Sequence, residues 1–132
     1  MKPLGPIPAG FAALDGELAI DGHRVSELVA RAGDTPLFVY SKRLLRERVA
    51  WLKVDMPDRL AIHYAVKANP YIPLLEVMSE LVDGFDVASA GEMGLAFKAG
   101  ISPQLVSFAG PGKRDAELLA ALHQGVTLNL ES

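Results

Sequence analysis

The feature that most constrains this chain is a regular alternation of short apolar segments and helical segments. The apolar segments begin near residues 61, 85, 105 and 126, so they recur at intervals of roughly 20 to 24 residues. Strands that alternate with helices of about ten residues are typical of βαβ units and a parallel sheet. A (β/α)₈ barrel needs about 250 residues, so the 132 residues present would supply about half of one. A doubly wound sheet is also open, although no dinucleotide fingerprint follows any strand.

Turn and capping residues set the bounds of the predicted elements. Asp21-Gly22 predicts the turn of a hairpin within residues 17–25, after an irregular lead-in over residues 1–16. Serines that precede helical stretches are predicted N-caps. The predicted strands are Leu37–Tyr40, Leu60–Val66, Phe85–Ala88, Leu105–Ala109 and Val126–Leu130. The predicted helices run from the cap Ser26 to Ala32, from the cap Ser41 to Val54, from Pro73 to Val82, from the cap Ser89 to Ala99 and from Arg114 to His123.

The charge balance and the composition exclude several classes of protein. The chain has 13 basic and 16 acidic side chains and a net charge of −3, which argues against nucleic acid, a partner that selects basic surfaces. No apolar run approaches the length of a membrane span, and residues 1–11 lack the apolar core of an export signal. We therefore expect a cytoplasmic protein with no membrane partner. Cysteine is absent, which excludes thiolate metal sites, and no metal site is predicted.

Two charged residues stand near the ends of neighbouring predicted strands. Alternation along the first of these strands puts His63, Ala65 and Lys67 on one face. Lys67 comes last, at the carboxyl end where barrel enzymes place their chemistry. Asp86 lies on the same face of the next strand. Position alone favours a Lys67 that extends to solvent, and it leaves open whether Asp86 pairs with Lys67 or tunes a reactive amine.

Three further features allow both a structural and a functional interpretation. His63 lies about 13 Å from Lys67 along an extended strand, which favours an interior packing residue with a hydrogen bond over a catalytic one. Glu92 follows Ser89 by three residues, which favours a capping box over a carboxylate in the wall of a site. Residues 110–113, Gly-Pro-Gly-Lys, lack the spacing of a nucleotide-binding loop and favour a tight turn between a strand and a helix.

Four motifs resemble one enzyme family. Residues 64–69, Tyr-Ala-Val-Lys-Ala-Asn, resemble the lysine motif of the fold-type III pyridoxal-phosphate-dependent decarboxylases, which include the diaminopimelate, ornithine and arginine decarboxylases. Residues 85–92, 106–113 and 128–132 resemble the next three strand motifs, in family order. The sequences of these motifs are most similar to those of diaminopimelate decarboxylase-like proteins. Within that group they are most similar to a bacterial subgroup associated with exosortase and exopolysaccharide systems. The related alanine racemases share the barrel and the lysine but fit less well after that lysine.

The resemblance implies a fold and a division of the chain. The fold is an α/β barrel of the TIM type, similar to that of alanine racemase, preceded by a short β-hairpin. Residues 36–132 would be the first half of the pyridoxal-phosphate-binding barrel, with about four of its eight strands. Residues 1–35 would be a lead-in with a hairpin and a short helix, and the hairpin would join a C-terminal β domain in a full-length protein.

The resemblance also implies the chemistry. Lys67 would hold pyridoxal phosphate as a Schiff base, Asp86 would be a charge partner near the cofactor, and Ala65 would leave room for the ring. The full-length protein would be a cytoplasmic homodimer that decarboxylates diaminopimelate or another basic amino acid, whereas the 132-residue chain alone would be inactive. Two alternatives remain open here, a non-enzymatic half-barrel that self-associates through its strand edges and a racemase-type barrel.

Overall fold

The computed structural model of the chain describes residues 5–131, which fall into two compact units that divide between Arg48 and Val49. Residues 1–4 of the predicted lead-in and Ser132 of the fourth motif lie outside the described residues. Among residues 5–131, no helix is both long and apolar enough to cross a membrane. The helices are α1 (Val25–Ala32), α2 (Lys42–Val54), α3 (Ile72–Ser79), α4 (Ala90–Lys98) and α5 (Asp115–Gln124), and the strands are β1 (Ala12–Leu14), β2 (Glu17–Ile20), β3 (His23–Arg24), β4 (His63–Ala65), β5 (Gly84–Val87), β6 (Val106–Phe108) and β7 (Thr127–Leu128).

The first unit contains an antiparallel sheet of three short strands in the order β1–β2–β3. The predicted turn at Asp21 and Gly22 is confirmed, because these residues join β2 to β3 with positive φ angles of 49° and 80°, as a tight hairpin turn requires. A second Asp-Gly turn, at Asp15 and Gly16, joins β1 to β2. The irregular lead-in predicted for residues 1–16 was therefore wrong at β1, whose sequence Ala-Ala-Leu has no apolar alternation.

Helix α1 begins before the predicted cap at Ser26. Its N-cap is Arg24, whose backbone N–H donates to the Glu27 carboxylate at 3.3 Å. The hydroxyl and the backbone N–H of Ser26 instead donate to the carboxylate of Glu17, at 3.0 and 2.5 Å. Glu17 on β2 thus binds the serine that the local pattern predicted as a cap. By contrast, the predicted start of α2 is confirmed, since the Ser41 hydroxyl accepts a helix N–H at 3.0 Å.

Residues Leu37–Tyr40, predicted as a strand, have no regular secondary structure. Phe38, in the middle of this apolar run, is 87% exposed. A strand is defined by hydrogen bonds to a neighbouring strand, and no strand is paired with this segment among the described residues. The apolar run alone therefore led to a wrong prediction.

The second unit is built on a parallel sheet of four strands in the order β4–β5–β6–β7. Helix α3 connects β4 to β5, α4 connects β5 to β6, and α5 connects β6 to β7. The strand order follows the chain order throughout the described sheet, as in the wall of a (β/α)₈ barrel. A doubly wound sheet reverses its order at a switch point, so the described strands favour the barrel.

All four predicted strands of this sheet are found. Three are shorter than their apolar runs, whereas β5 keeps four residues but begins at Gly84 rather than at Phe85. Strand β4 covers His63–Ala65 rather than Leu60–Val66, because only these three residues have partners in β5. The predicted helices of this unit are also found, although α3 ends at Ser79 rather than at Val82. Local pattern therefore predicts which elements exist, whereas strand pairing decides where each strand ends.

One face of the parallel sheet forms the core of the second unit. Its side chains are aromatic or branched, and α4 contacts both central strands that carry them. The ring centroids of Tyr64 and Phe85 lie 5.8 Å apart on neighbouring strands. The predicted alternation is confirmed on this face. The strands of this face and the turn that follows β4 contribute side chains that are each at most 1% exposed, namely Val66, Phe85, Val87, Val106 and Phe108.

Gly84, the first residue of β5, lies where two other segments come close. A Cβ atom at Gly84 would overlap the backbone carbonyl oxygen of Leu105 and lie 2.6 Å from Cε1 of His63. We expect Gly84→Ala to lower the free energy of unfolding by about 1–3 kcal/mol, because that oxygen cannot move without displacing β6. Urea denaturation, with the slope of the transition compared between variants, measures this change.

Gly94→Ala is the matched control, because Gly94 lies inside α4 and a Cβ there would meet no atom within 4 Å apart from its chain neighbours and the backbone of its own helix. This variant should gain about 0.5–1 kcal/mol, since alanine loses less backbone entropy in a helix than glycine does. Equal stability of the two alanine variants would contradict the close packing at Gly84.

Candidate functional site

Three side chains form a row across the parallel sheet on the face opposite the core. Ala65 of β4 is paired with Asp86 of β5, and Asp86 is paired with Ser107 of β6. Paired residues of neighbouring parallel strands point to the same side of the sheet and lie about 4.8 Å apart. All three residues are half-buried. The sheet therefore presents a small, an acidic and a hydroxyl side chain in line.

Asp86 is held by the residue beside it in this row. The Ser107 hydroxyl donates to Oδ1 of Asp86 at 2.7 Å, an ordinary distance for a hydrogen bond between two oxygen atoms. The same hydroxyl lies 3.5 Å from the carbonyl oxygen of Phe85. Because serine has one hydroxyl proton, the shorter contact to the carboxylate is the stronger one.

Lys67 lies just beyond β4 rather than within it. Residues Val66–Ala68 form a single 3₁₀ turn, so the strand alternation that was predicted to include Lys67 stops at Ala65. The buried Val66 side chain anchors this turn, while Lys67 is exposed. Within residues 5–131 the Lys67 amine has no hydrogen bond or ion pair, and the Lys67–Asp86 pair that the sequence left open is not formed. The site therefore offers a free primary amine at the carboxyl end of a parallel strand.

His63, predicted as an interior packing residue with a hydrogen bond, is exposed. Its partner across the sheet is Gly84, which has no side chain to cover the imidazole ring. The ring makes no hydrogen bond to any other residue that the structure describes. The predicted burial and hydrogen bond are therefore not found within residues 5–131, where β4 is paired with a strand on one side only.

Glu92 caps the helix that follows the Asp86 strand. The Ser89 hydroxyl accepts the Glu92 N–H at 3.2 Å, and the Glu92 carboxylate accepts the N–H of Ala88 at 2.8 Å. The capping role that the sequence favoured is confirmed, although the carboxylate reaches Ala88 rather than the N–H of Ser89. These bonds fix the turn between β5 and α4, which begins two residues after Asp86.

Glu117 of α5 joins two neighbouring turns at the same edge of the sheet. Its carboxylate accepts the N–H of Ala90, at the start of α4, at 2.9 Å, and the N–H of Arg114, at the start of α5, at 3.1 Å. The bond from Ala90, and then the bond from Arg114, hold the pKa of this carboxyl below its usual value. One side chain thus caps two helices and ties their turns together.

The Gly-Pro-Gly-Lys segment forms the turn after β6, as the sequence predicted. Gly110 adopts a positive φ of 115°, which glycine tolerates best. The Lys113 amine donates to the carbonyl oxygens of Gly110 and Asn129, at 2.6 and 2.8 Å, and lies 3.9 Å from the Glu131 carboxylate. Its side chain is 9% exposed. Lys113 therefore fastens the turn to the end of β7 and is not a free ligand for a phosphate group.

Comparison with known proteins identifies the family. Residues 42–132 match the family described as pyridoxal-dependent decarboxylase, pyridoxal binding domain. The chain belongs to this family. The diaminopimelate decarboxylase of Aquifex aeolicus (strain VF5) is 44% identical over 119 residues, which cover 89% of the chain and 28% of that protein.

Solved structures agree with this assignment. A crystal structure of an Aquifex aeolicus protein matches this decarboxylase-family chain with a TM-score of 0.85 and 42% identity, over 93% of the chain and 31% of that protein. The diaminopimelate decarboxylase of Helicobacter pylori, crystallised with L-lysine, matches with a TM-score of 0.73 and 32% identity, over 81% of the chain and 28% of that protein. The chain thus spans about three tenths of the length of these relatives.

Membership of this family identifies the fold and counts against the two alternative functions. The parallel sheet of this decarboxylase-family chain corresponds to the N-terminal part of a TIM-type barrel, and the short antiparallel sheet precedes it, so the predicted fold is confirmed. The relatives are decarboxylases by name, so the half-barrel and racemase alternatives are not favoured. The more specific resemblance to an exosortase-associated subgroup stays a prediction.

Two residues of the site region were missed by sequence reasoning. Ser107 was absent from the predicted site, and Glu117 was read only as part of a helix. Ser107 acts on a residue 21 positions away, and Glu117 binds Ala90 from 27 positions away, so no local pattern marks these two contacts; only the bond from Arg114 to Glu117 has the local spacing of a helix cap. The one available signal for Ser107 is register, because aligning the three strands as parallel neighbours places Ser107 beside Asp86.

The shared cap at Glu117 predicts a pH-dependent contribution to stability. A carboxyl whose pKa is lower in the folded than in the unfolded state stabilises the fold fully above its unfolded-state pKa. That stabilisation is lost as the pH falls through the lower folded-state pKa. We expect Glu117→Gln to lower the thermal midpoint at pH 7, with the difference from wild type shrinking below about pH 4.

Thermal unfolding of both proteins between pH 3 and pH 7 measures this effect. Glu76→Gln is the control, because it removes the same charge from an exposed side chain. The Glu76 carboxylate makes no hydrogen bond or ion pair with any other described residue. A pH-independent difference for Glu117→Gln, or an equal one for Glu76→Gln, would contradict the double cap.

Proposed function

We propose that this chain is the cofactor-bearing part of a pyridoxal-phosphate-dependent amino acid decarboxylase, and that Lys67 is the residue to which the cofactor is attached. The observation that carries the proposal is the free, exposed amine of Lys67 directly after β4, within the residues matched by the pyridoxal binding domain. Barrel enzymes take their catalytic residues from the carboxyl ends of the strands. Lys67 satisfies this rule.

The residues near Lys67 suit a cofactor of this chemistry. Pyridoxal phosphate carries an aldehyde, which an unprotonated lysine amine attacks, and no carboxylate among residues 5–131 forms an ion pair with Lys67. Ala65 has no side chain beyond Cβ, which leaves room for a flat ring beside β4. Asp86 offers a carboxylate on the neighbouring strand. A negative charge at this position would stabilise a protonated nitrogen of the bound cofactor.

The proposed reaction is the loss of a carboxylate from an amino acid. When bound, the cofactor accepts the electron pair that is released as the α-carboxylate leaves as CO₂. A proton then replaces the lost group. The residues of this chain contribute attachment at Lys67, a charge at Asp86 and space at Ala65.

We propose diaminopimelate, or another basic amino acid, as the substrate. Support comes from the relatives, since one is named diaminopimelate decarboxylase and another was crystallised with L-lysine. Diaminopimelate that loses one CO₂ and gains one proton at the same carbon is lysine, so these two names describe one reaction. L-ornithine and L-arginine are the competing substrates to include in any assay.

We also propose a cytoplasmic homodimer, in which the antiparallel sheet of the first unit joins a β domain formed by later residues. Support comes from the resemblance of the four motifs to a family with this organisation. Light scattering of the protein expressed from its complete natural gene distinguishes a dimer from a monomer.

Lys67 is tested by chemical trapping. Borohydride reduces a lysine–cofactor linkage to a stable amine, so the protein expressed from its complete gene should retain a pyridoxyl group after reduction, digestion and mass spectrometry. We expect this group on the peptide that contains Lys67. Label on another lysine, or no label, would refute the assignment.

Two alanine variants complete the test. Lys67→Ala should lose the label and release CO₂ from diaminopimelate several orders of magnitude more slowly than wild type, because the nucleophile is gone. Lys98→Ala is the control, since Lys98 is an exposed lysine on α4 and should keep both label and activity. A Lys67→Ala variant that turns over at the wild-type rate would contradict the proposal.

A further inference from the structure

We propose that Ser107 is a positioning residue for the cofactor, acting through Asp86. The inference rests on the proposed function, because it assigns a role to the same face of the sheet. The observation behind it is the 2.7 Å hydrogen bond from the Ser107 hydroxyl to Oδ1 of Asp86, between residues that are direct partners in the register of β5 and β6.

The hydrogen bond removes a freedom that aspartate otherwise keeps. The terminal torsion of an aspartate side chain is broad and roughly two-fold, so a carboxylate without a partner turns easily. Ser107 is the one hydrogen-bond partner of this carboxylate within residues 5–131, and it binds Oδ1. Oδ2 is therefore left without a partner in the described chain, and the hydrogen bond at Oδ1 restricts rotation of the carboxylate while the other oxygen stays available.

The position of Ser107 in the sheet makes this arrangement rigid. Its neighbours along β6, Val106 and Phe108, are buried on the opposite face at 1% and 0% exposure. Because alternate residues of a strand point to opposite faces, packing of these two side chains fixes the direction of the Cα–Cβ bond of Ser107, and the hydrogen bond to Asp86 then sets the position of the hydroxyl. A strand held in this way positions a functional group more accurately than a loop does.

The inference concerns the hydroxyl group rather than the size of the side chain, so two variants of equal shape decide it. Threonine keeps the hydroxyl, and valine replaces that hydroxyl with a methyl group. Both are β-branched residues that suit a strand. With the protein expressed from its complete gene, we expect Ser107→Val to raise the dissociation constant for pyridoxal phosphate about tenfold. Ser107→Thr should stay within about twofold of wild type.

A spectroscopic readout separates positioning from folding. The visible circular dichroism of bound pyridoxal phosphate reports how the ring is held in its chiral site, and this signal should weaken in Ser107→Val and be retained in Ser107→Thr. Thermal midpoints measured without cofactor show whether both variants fold. Ser107→Ala provides the same comparison with a smaller side chain if the valine variant does not fold.

The route through Asp86 is tested by combining variants. If Ser107 acts by orienting the carboxylate, then Ser107→Val should change the dissociation constant by less than about twofold when Asp86 is already alanine. An undiminished effect of Ser107→Val in that background would overturn the inference, as would equal effects of valine and threonine.

The outcome also distinguishes this inference from the proposed function. If wild-type protein binds pyridoxal phosphate at Lys67 but Ser107→Val binds it equally well with unchanged dichroism, the role of Ser107 is refuted and the proposed function stands. If wild-type protein carries no cofactor on Lys67 after borohydride treatment, both are refuted.

Discussion

The alternation of side chains along β4, β5 and β6 is the constraint on which the rest of the second unit depends. The register that buries Phe85 against Tyr64 and Val106 also aligns Asp86 with Ser107 on the other face. Because strands alternate with a period of two, a slip of one residue would bring Asp86 into the core and expose Phe85. Burial of the aromatic and branched side chains therefore determines the position of the polar row.

The charged groups at the carboxyl edge of the sheet differ in what they bind. Lys113 donates to two backbone carbonyl oxygens and lies near the Glu131 carboxylate, so its charge is used to hold a turn. Asp86 has one oxygen bound to Ser107. Lys67 alone of these three has no partner within residues 5–131. Lys67 is therefore distinguished from Lys113 because it has no hydrogen bond or ion pair to the described chain. The sequence alone does not reveal this difference between the two lysines.

The limits of sequence reasoning follow from the range of the interactions. Helix α2 and the turn at residues 21 and 22 were predicted because their signals are local. Leu37–Tyr40 was wrongly predicted as a strand, because a strand also needs a partner strand. Ser26 was wrongly predicted as a helix cap, because Glu17, nine residues away, binds its hydroxyl. In the candidate site, the motifs pointed to Lys67 and Asp86, whose roles stay a prediction. Ser107 and Glu117 were missed because their roles depend on strands and helices that only the folded sheet makes adjacent.

The double cap at Glu117 has a consequence for local motion. Fraying of the first turn of α4 would break the bond from Ala90 and release the carboxylate that also holds the start of α5. Opening of the first turn of α4 is thereby coupled to opening of the start of α5, because one carboxylate holds both.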